Sequence, residues 1–224
     1  MVVSSQLDLP PLENGDRLTR SQFEQRYEAA TEIHEAELIE GVVYVASPVR
    51  ANRHGRPHAA IMAWLGVYWL ATPGVDFQDN PTVRLDEDNE PQPDALLRLE
   101  PEVGGNSSIS ADDYIEGAPE LIVEIAASSV SYDLGDKLNA YRRNGVREYI
   151  VWQQYENRID WFQLHEGRYI PLVPDERGII CSEVFPGLWL AVEALRQGNR
   201  TELMAVLQQG LQSQEHQVFC DRLA

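Results

Sequence analysis

Between Ala36 and Ser47 the chain reads AELIEGVVYVAS, apolar positions on both sides of Glu40-Gly41, and this pattern predicts a β-hairpin turning at that dipeptide. Upstream, Thr19 is placed to cap a helix over about 20–30. Downstream, Pro57 suits a first helical turn. Ile61, Trp64, Leu65 and Tyr68 then recur at helical spacing until TPGV ends the run. VDFQDNPTVRL predicts one or two short strands, PDALLRLEP a compact one, and PELIVEIAAS, Pro119 to Ser128, a buried one. DLGDKLNAYRRNG is expected to be a helix, capped by Ser131 or Asp133 and stopped at Asn144-Gly145. VREYIVW is another buried strand, and RIDWFQLHEGRYIPLV is a hairpin turning at Glu166-Gly167. FPGLWLAVEAL closes the domain, and from about Thr201 an amphipathic helix carries Leu203, Val206, Leu207 and Leu211 on one face. The central order of helix, three strands, helix and strand implies an α/β (α+β) fold: a mixed sheet flanked by helices. The expected organisation is one domain over 1–195, with an N-terminal helix and hairpin, and a helical extension over 196–224.

Composition adds boundaries. The 224 residues, 43% hydrophobic, suffice for one core. The longest apolar run, Ala59 to Ala71, is too short to span a bilayer, and no basic-then-apolar leader opens the sequence. No membrane association is expected. Cys181 and Cys220 are too few for a disulfide framework or a zinc cluster, so a soluble protein of the reducing cytoplasm is expected. The net charge of −18 argues against a polyanion partner, because affinity for nucleic acid comes largely from neutralised phosphates. Two stretches run against it. From Gly41 to Val75 there is no acid, and Arg50, Arg53 and Arg56 contribute +3; from Lys137 to Arg147 there is again none, and Lys137, Arg142, Arg143 and Arg147 contribute +4. The plain account of such gaps is a solvated surface.

Glu124 is the anomaly. It sits inside LIVEIA, where an unpaired carboxylate costs several kcal/mol. Asp94 opens the strand PDALLRL, and two carboxylates on neighbouring strands can meet at one end of a sheet. There they would hold a divalent cation, and hard oxygen ligands suit Mg²⁺ or Mn²⁺. On an ideal helical wheel Lys137 falls about 60° from Leu134, on the shoulder of the apolar stripe with Leu138 and Tyr141, from which its ammonium can extend to the acids. Each residue also has a structural account: Asp94 as a turn residue, Glu124 and Lys137 as a buried ion pair. His54 and His58 would share a face only in a helix beginning before Pro57. A loop histidine on a phosphate is favoured over a zinc pair. No G-x-S-x-G, G-x-G-x-x-G or P-loop is present.

ELIEG, HGRPH, PDALL, PELIVEIA, DKLNAYRRNGVREYIVW and FPGLWL, in that order, resemble the PD-(D/E)XK nuclease superfamily, specifically its Uma-type restriction endonuclease domain. The resemblance runs from about Glu37 to Leu195 and implies a restriction-endonuclease-like core. It makes Asp94 the PD aspartate and Glu124 the second acid. The lysine that usually follows two residues later is Ala126 here, and Lys137 on the next helix takes its place. The carbonyl of Ile125 is implied as a backbone metal ligand. Glu37 and His54 match further recurrent positions, as a second metal ligand, a substrate contact or support for the fold. Ala127 stands where a serine is usual.

The expectation that follows is a Mg²⁺- or Mn²⁺-dependent endonuclease hydrolysing phosphodiester bonds in DNA. Asp94, Glu124 and Lys137 would be catalytic, and Asp94, Glu124, Ile125 and Glu37 would lie around the metal. His54, Arg53, Arg56, Arg142 and Arg143 would contact substrate. A homodimer formed through the C-terminal helix would bring two sites to a duplex. The competing expectations are a non-catalytic nuclease scaffold used for binding or assembly, and a hydrolase of a smaller phosphoester.

Overall fold

The computed structural model describes residues 9–46 and 51–224. Helix α1 (Arg20–Ala29) opens with a capping box. The Thr19 hydroxyl accepts from the Gln22 amide, and the Gln22 side chain accepts from the Thr19 amide. Strands β1 (Ala36–Ile39) and β2 (Val42–Val45) form the expected hairpin. Glu40 and Gly41 both take positive φ, 52° and 71°, as the twist of a two-residue turn requires. A π-helical turn, Ala51–Gly55, runs into α2 (Arg56–Ala71), so helical backbone begins ahead of Pro57.

The central sheet has six strands. Strands β3 (Val75–Asp79), β5 (Ala95–Leu99), β8 (Leu121–Glu124), β9 (Glu148–Gln153), β10 (Arg158–His165) and β11 (Arg168–Pro171) lie in the order β11-β10-β9-β8-β5-β3. Only β8 and β9 run parallel; the other neighbours are antiparallel. A parallel pair needs a crossover, which residues 130–144 supply. They form one helical run: α3 (Val130–Tyr132), a π-helical turn (Asp133–Lys137) and α4 (Leu138–Asn144), stopped by Gly145 at φ 87°. The run starts ahead of Ser131, and neither Ser131 nor Asp133 is its cap. Short strands β4 (Val83–Arg84), β6 (Ser108–Ile109) and β7 (Ile115–Glu116) make a small separate sheet.

Alternation along the strands divides the core. Leu97, Leu121, Val123, Ile125, Ile150 and Trp152 face α2, whose Ile61, Trp64, Leu65 and Tyr68 are fully buried. The same layer takes in β12 (Ile179–Cys181), β13 (Trp189–Ala191), α5 (Val192–Gln197), α6 (Arg200–Leu211) and α7 (Gln214–Leu223). The sequence reads as one helix from about Thr201. The chain instead turns at Gln212 and Ser213, and the Ser213 hydroxyl caps α7 by accepting from the His216 amide. Leu96, Ile122, Tyr149 and Val151 point to the other face, against Tyr141 of α4. A third cluster joins α1 to the β1–β2 hairpin through Phe23, Leu38 and Val43. No helix among the described residues is long and apolar enough to cross a membrane.

Candidate active site

The register of the sheet brings the two acids together. Ala95 pairs with Val123 and Leu96 with Ile122 across the antiparallel β5–β8 pair, so one step further sets Asp94 opposite Glu124. Paired positions point to one face, here the face under the helical crossover. Asp94 stands just ahead of β5 rather than within it, and is fixed from two sides. Its Oδ2 accepts from the Ile125 amide at 2.6 Å, and its Oδ1 lies 3.1 Å from His54 Nε2.

Lys137 is fully turned inward, further than the wheel predicts. The π turn inserts an extra residue per turn, which rotates Asp133 and Lys137 together into the site. The ammonium lies 2.9 Å from Glu124 Oε1 and 2.8 Å from Glu37 Oε1, with Asp133 Oδ1 at 4.0 Å and the Tyr132 ring at 5.3 Å. Asp94, Glu124 and Lys137 are 8%, 5% and 4% exposed. Glu124 Oε1 also accepts from the Tyr141 hydroxyl at 2.8 Å, whereas Oε2 receives no hydrogen bond from the described residues. Glu37 reaches in from β1, and its Oε1 also accepts from the Gln92 amide at 2.7 Å.

These groups form the floor of a pocket of about 520 Å³. Its walls are the β1–β2 hairpin, with Glu35 and Tyr44, the loop after β8, with Ala127 to Ser129, and Tyr155 in the β9–β10 turn. Five carboxylates line it: Glu35, Glu37, Asp94, Glu124 and Asp133. Burial raises Glu124 well above the usual carboxylate range. Lys137 pulls against that, and Asp133, Asp94 and Glu37 add to it. Burial likewise raises Asp133 to about 6, and raises Glu35 with further help from Glu37 and Asp94. For Lys137 burial pulls the other way, but Glu124, Glu37 and Asp133 outweigh it and hold the ammonium charged. Five acids thus crowd around few cations, and burial with mutual repulsion favours holding protons on Glu124, Asp133 and Glu35.

Two opposed carboxylates and a Glu124 Oε2 that accepts no hydrogen bond from the described residues offer oxygen ligands of the kind a hard divalent cation takes. Mg²⁺ commonly takes one or two carboxylates and fills the rest of its shell with water and substrate oxygen. Among the described residues no three His, Cys, Asp or Glu side chains form a ready ligand cage, so the donor set does not suit a metal that needs three protein ligands.

The other expected residues divide. Arg53 lines the pocket, donates to the Gln154 carbonyl at 3.1 Å and lies 4.9 Å from the centre of the Tyr155 ring. His54 and His58 share a face after all, stacked at 5.6 Å, because the π turn ahead of α2 already has helical backbone. Each turns to a different acid, His54 to Asp94 and His58 to Asp79 at 3.0 Å. Arg56, Arg142 and Arg143 do not line the pocket: Arg142 donates to the Gly167 carbonyl, and Arg143 pairs with Glu40 at 2.9 Å. Each basic stretch therefore sends one described residue to the acids, Arg53 and Lys137, while Arg56, Arg142 and Arg143 lie away from the pocket. Arg50 lies outside the described residues. Glu35, Tyr132, Asp133, Tyr141 and Tyr155 also line or brace the site, and nothing in the sequence marked them for it beyond the four-residue step from Asp133 to Lys137 on a helix.

The fold is shared with a crystal structure described as "a putative nuclease belonging to DUF820" from Anabaena variabilis. The TM-score is 0.57 at 11% identity, over 77% of this chain and 96% of that one. No curated protein matches the chain in sequence. Residues 20–193 match the Uma2 family, described as "Putative restriction endonuclease", and since that span is most of the chain, the protein belongs to this family.

Proposed function

We propose that the protein is a Mg²⁺- or Mn²⁺-dependent endonuclease that hydrolyses phosphodiester bonds in DNA at the pocket floored by Asp94, Glu124 and Lys137. The observation that carries this reading is the pairing of Asp94 with Glu124 across β5–β8, in a pocket with five carboxylates and one buried lysine. Asp94, Glu124 and the Ile125 carbonyl would hold the cation, with Glu37 beside them. When bound, the cation supplies Lewis acidity toward a phosphoryl oxygen. Lys137 has its ammonium committed to Glu37 and Glu124 on two sides, leaving a third N–H to position water or to face charge developing on the phosphate. His54 keeps Asp94 in place, and Arg53 meets a phosphate at the rim.

A second reading, hydrolysis of a smaller phosphoester, is favoured by one observation: apart from Lys137, Arg53 is the only Lys or Arg among the described residues lining the pocket. Calorimetric titration of Mg²⁺ and Mn²⁺ into wild type and Asp94→Ala, followed by incubation with supercoiled plasmid and single-stranded DNA, separates the readings. Binding heat lost in Asp94→Ala together with metal-dependent cleavage by wild type is the expected result. Site-specific binding without DNA cleavage favours the smaller substrate. No site-specific binding leaves a nuclease-like scaffold without this chemistry.

A further inference from the structure

Asp94, Glu124 and Lys137 are recessed, and at the described part of the rim an aromatic ring, Tyr155, stands beside one arginine, Arg53. Asp94, Glu124 and Lys137 are nearly inaccessible at the pocket floor, so a scissile phosphate has to enter the pocket to reach them. A pocket of about 520 Å³ falls in the range of sites for single small molecules, roughly 300–1,000 Å³. That is room for a nucleotide-sized unit, not for a base-paired segment held rigid by its partner strand. At the mouth, Tyr155 is 53% exposed although it is an aromatic side chain on a tight turn. The Arg53 guanidinium sits against the Tyr155 ring at 4.9 Å, and the bond from Arg53 to the Gln154 carbonyl fixes the pair in place. An exposed ring braced by a guanidinium, beside a nucleotide-sized pocket, has the composition of a base-stacking platform: flat π surface for a base and one cation for the adjoining phosphate. Duplex tracking would instead need a run of phosphate contacts, and among the described residues Arg142 and Arg143 do not supply it at this mouth, being engaged with the Gly167 carbonyl and Glu40.

We infer that the substrate enters as an unpaired stretch of DNA, with the base beside the scissile phosphate stacked on Tyr155 and that phosphate's neighbour held by Arg53. This rests on the nuclease reading for what happens next, but not for binding. The test is therefore run first without divalent metal. A 12-nucleotide single strand carrying 2-aminopurine, the same strand annealed to its complement, and an RNA of the same sequence are titrated with the full chain in EDTA, following fluorescence quenching and anisotropy.

The single DNA strand is expected to bind at least about tenfold more tightly than the duplex and to be quenched on binding. Tyr155→Ala should weaken it by about 5- to 150-fold, the equivalent of one lost base–aromatic stack of about 1–3 kcal/mol. Tyr155→Trp should restore both affinity and quenching, a rescue that a merely structural role for Tyr155 would not give. Because the ring is exposed, both variants are expected to melt with wild type, and circular dichroism checks this. Equal affinity for duplex, wild-type affinity in Tyr155→Ala, tighter binding of the RNA, or no binding of any strand overturns the inference. The same strands are then incubated in Mg²⁺ and Mn²⁺. Tyr155-dependent binding without cleavage defeats the nuclease reading and keeps the platform. Cleavage of duplex at the single-strand rate, unaffected by Tyr155→Ala, defeats the platform and keeps the nuclease.

Discussion

Glu120, Glu124 and Glu148 are all buried on or beside the inner strands, and what surrounds each decides what it does. Glu120 accepts from the Leu99 and Asn106 amides. Glu148 accepts from Ser182, Trp161 and the amides of Glu183 and Val184, although burial still pushes it up to about 7. Both are braces that tie loops to the sheet, and neither lines the pocket. Glu124 takes an ammonium and a phenol on one oxygen and leaves the other facing the acid-rich pocket. In the sequence Glu124 alone stands out as an acid enclosed by apolar residues, with Lys137 as a candidate partner; the braces of Glu120 and Glu148 were not legible, because their partners come from residues far along the chain. The two changes at this centre should separate. Glu124→Gln keeps an acceptor for Lys137 and Tyr141 and replaces a carboxyl group by an amide in a crowded acidic site. It is expected to melt within a few degrees of wild type while cleavage falls by at least about 100-fold, the scale of a lost charge-stabilising group. Lys137→Ala strands Glu37 and Glu124 without their cation. Breaking a buried pair costs about 3–5 kcal/mol, which for a chain of this size lowers the melting temperature by roughly 10 °C. Thermal melts and plasmid nicking on the same preparations check both. An equal loss of stability in the two variants would show that Glu124 is a brace like Glu148.

At the level of elements, hairpins were the most legible features, since Glu40-Gly41 and Glu166-Gly167 mark their turns by local backbone requirements alone. The π turn at Asp133–Lys137 was not legible: a wheel drawn at a constant angle leaves Lys137 on a shoulder, and the extra residue is accommodated by packing, not by propensity. The docking of α1 on the small sheet was hidden for the same reason. Arg84 of β4 bridges Glu24 of α1 at 2.9 Å and lies 3.8 Å from buried Glu90, which itself pairs by backbone with Leu38 of β1. Burial first, and then Glu24 alongside, pushes Glu90 up to about 8 from an ordinary 4.5. The folded chain therefore holds the Glu90 proton more tightly than the unfolded chain does. The resulting stabilisation is complete below about pH 4.5 and is lost as the pH rises through about 8. Melting temperature is expected to decline between pH 5 and 9, with Glu148 and Asp133 acting in the same direction, and Glu90→Gln, which keeps a hydrogen-bond donor without an ionisable proton, should make the decline shallower. An unchanged slope in the variant would place the effect elsewhere.

For the whole molecule, the order of helices and strands was enough to indicate a mixed sheet with helices on both faces. The sequence also reads naturally as a domain ending near Leu195 with a helical extension beyond it, because an amphipathic stretch after a glycine looks separable. In the fold, Leu203, Val206, Leu207, Phe219 and Leu223 belong to the same buried cluster as Trp64, Tyr68 and Phe185. The backbones also close in. A Cβ on Gly210 of α6 would fall 2.2 Å from the Gly187 carbonyl oxygen and 2.8 Å from the Trp189 ring, so the helix sits on the Gly187 loop at a distance only glycine permits. His216 of α7 completes the seam, its Nε2 2.9 Å from the buried Thr72 hydroxyl at the end of α2. Removing 199–224 would strip the cover from one whole face of α2 and expose a contiguous apolar surface of the kind that drives aggregation. Such a truncation is expected to be insoluble, or to keep far-UV circular dichroism while losing near-UV signal and binding a hydrophobic dye. Gly210→Ala, a single methyl, should lower the melting temperature of the full chain by several degrees, through the forced separation of α6 from the Gly187 loop. If 1–198 instead melts cooperatively near the full-length temperature, then the helices after Leu195 are a dispensable appendage, and the pocket is held together by the sheet, α2 and the helical crossover alone.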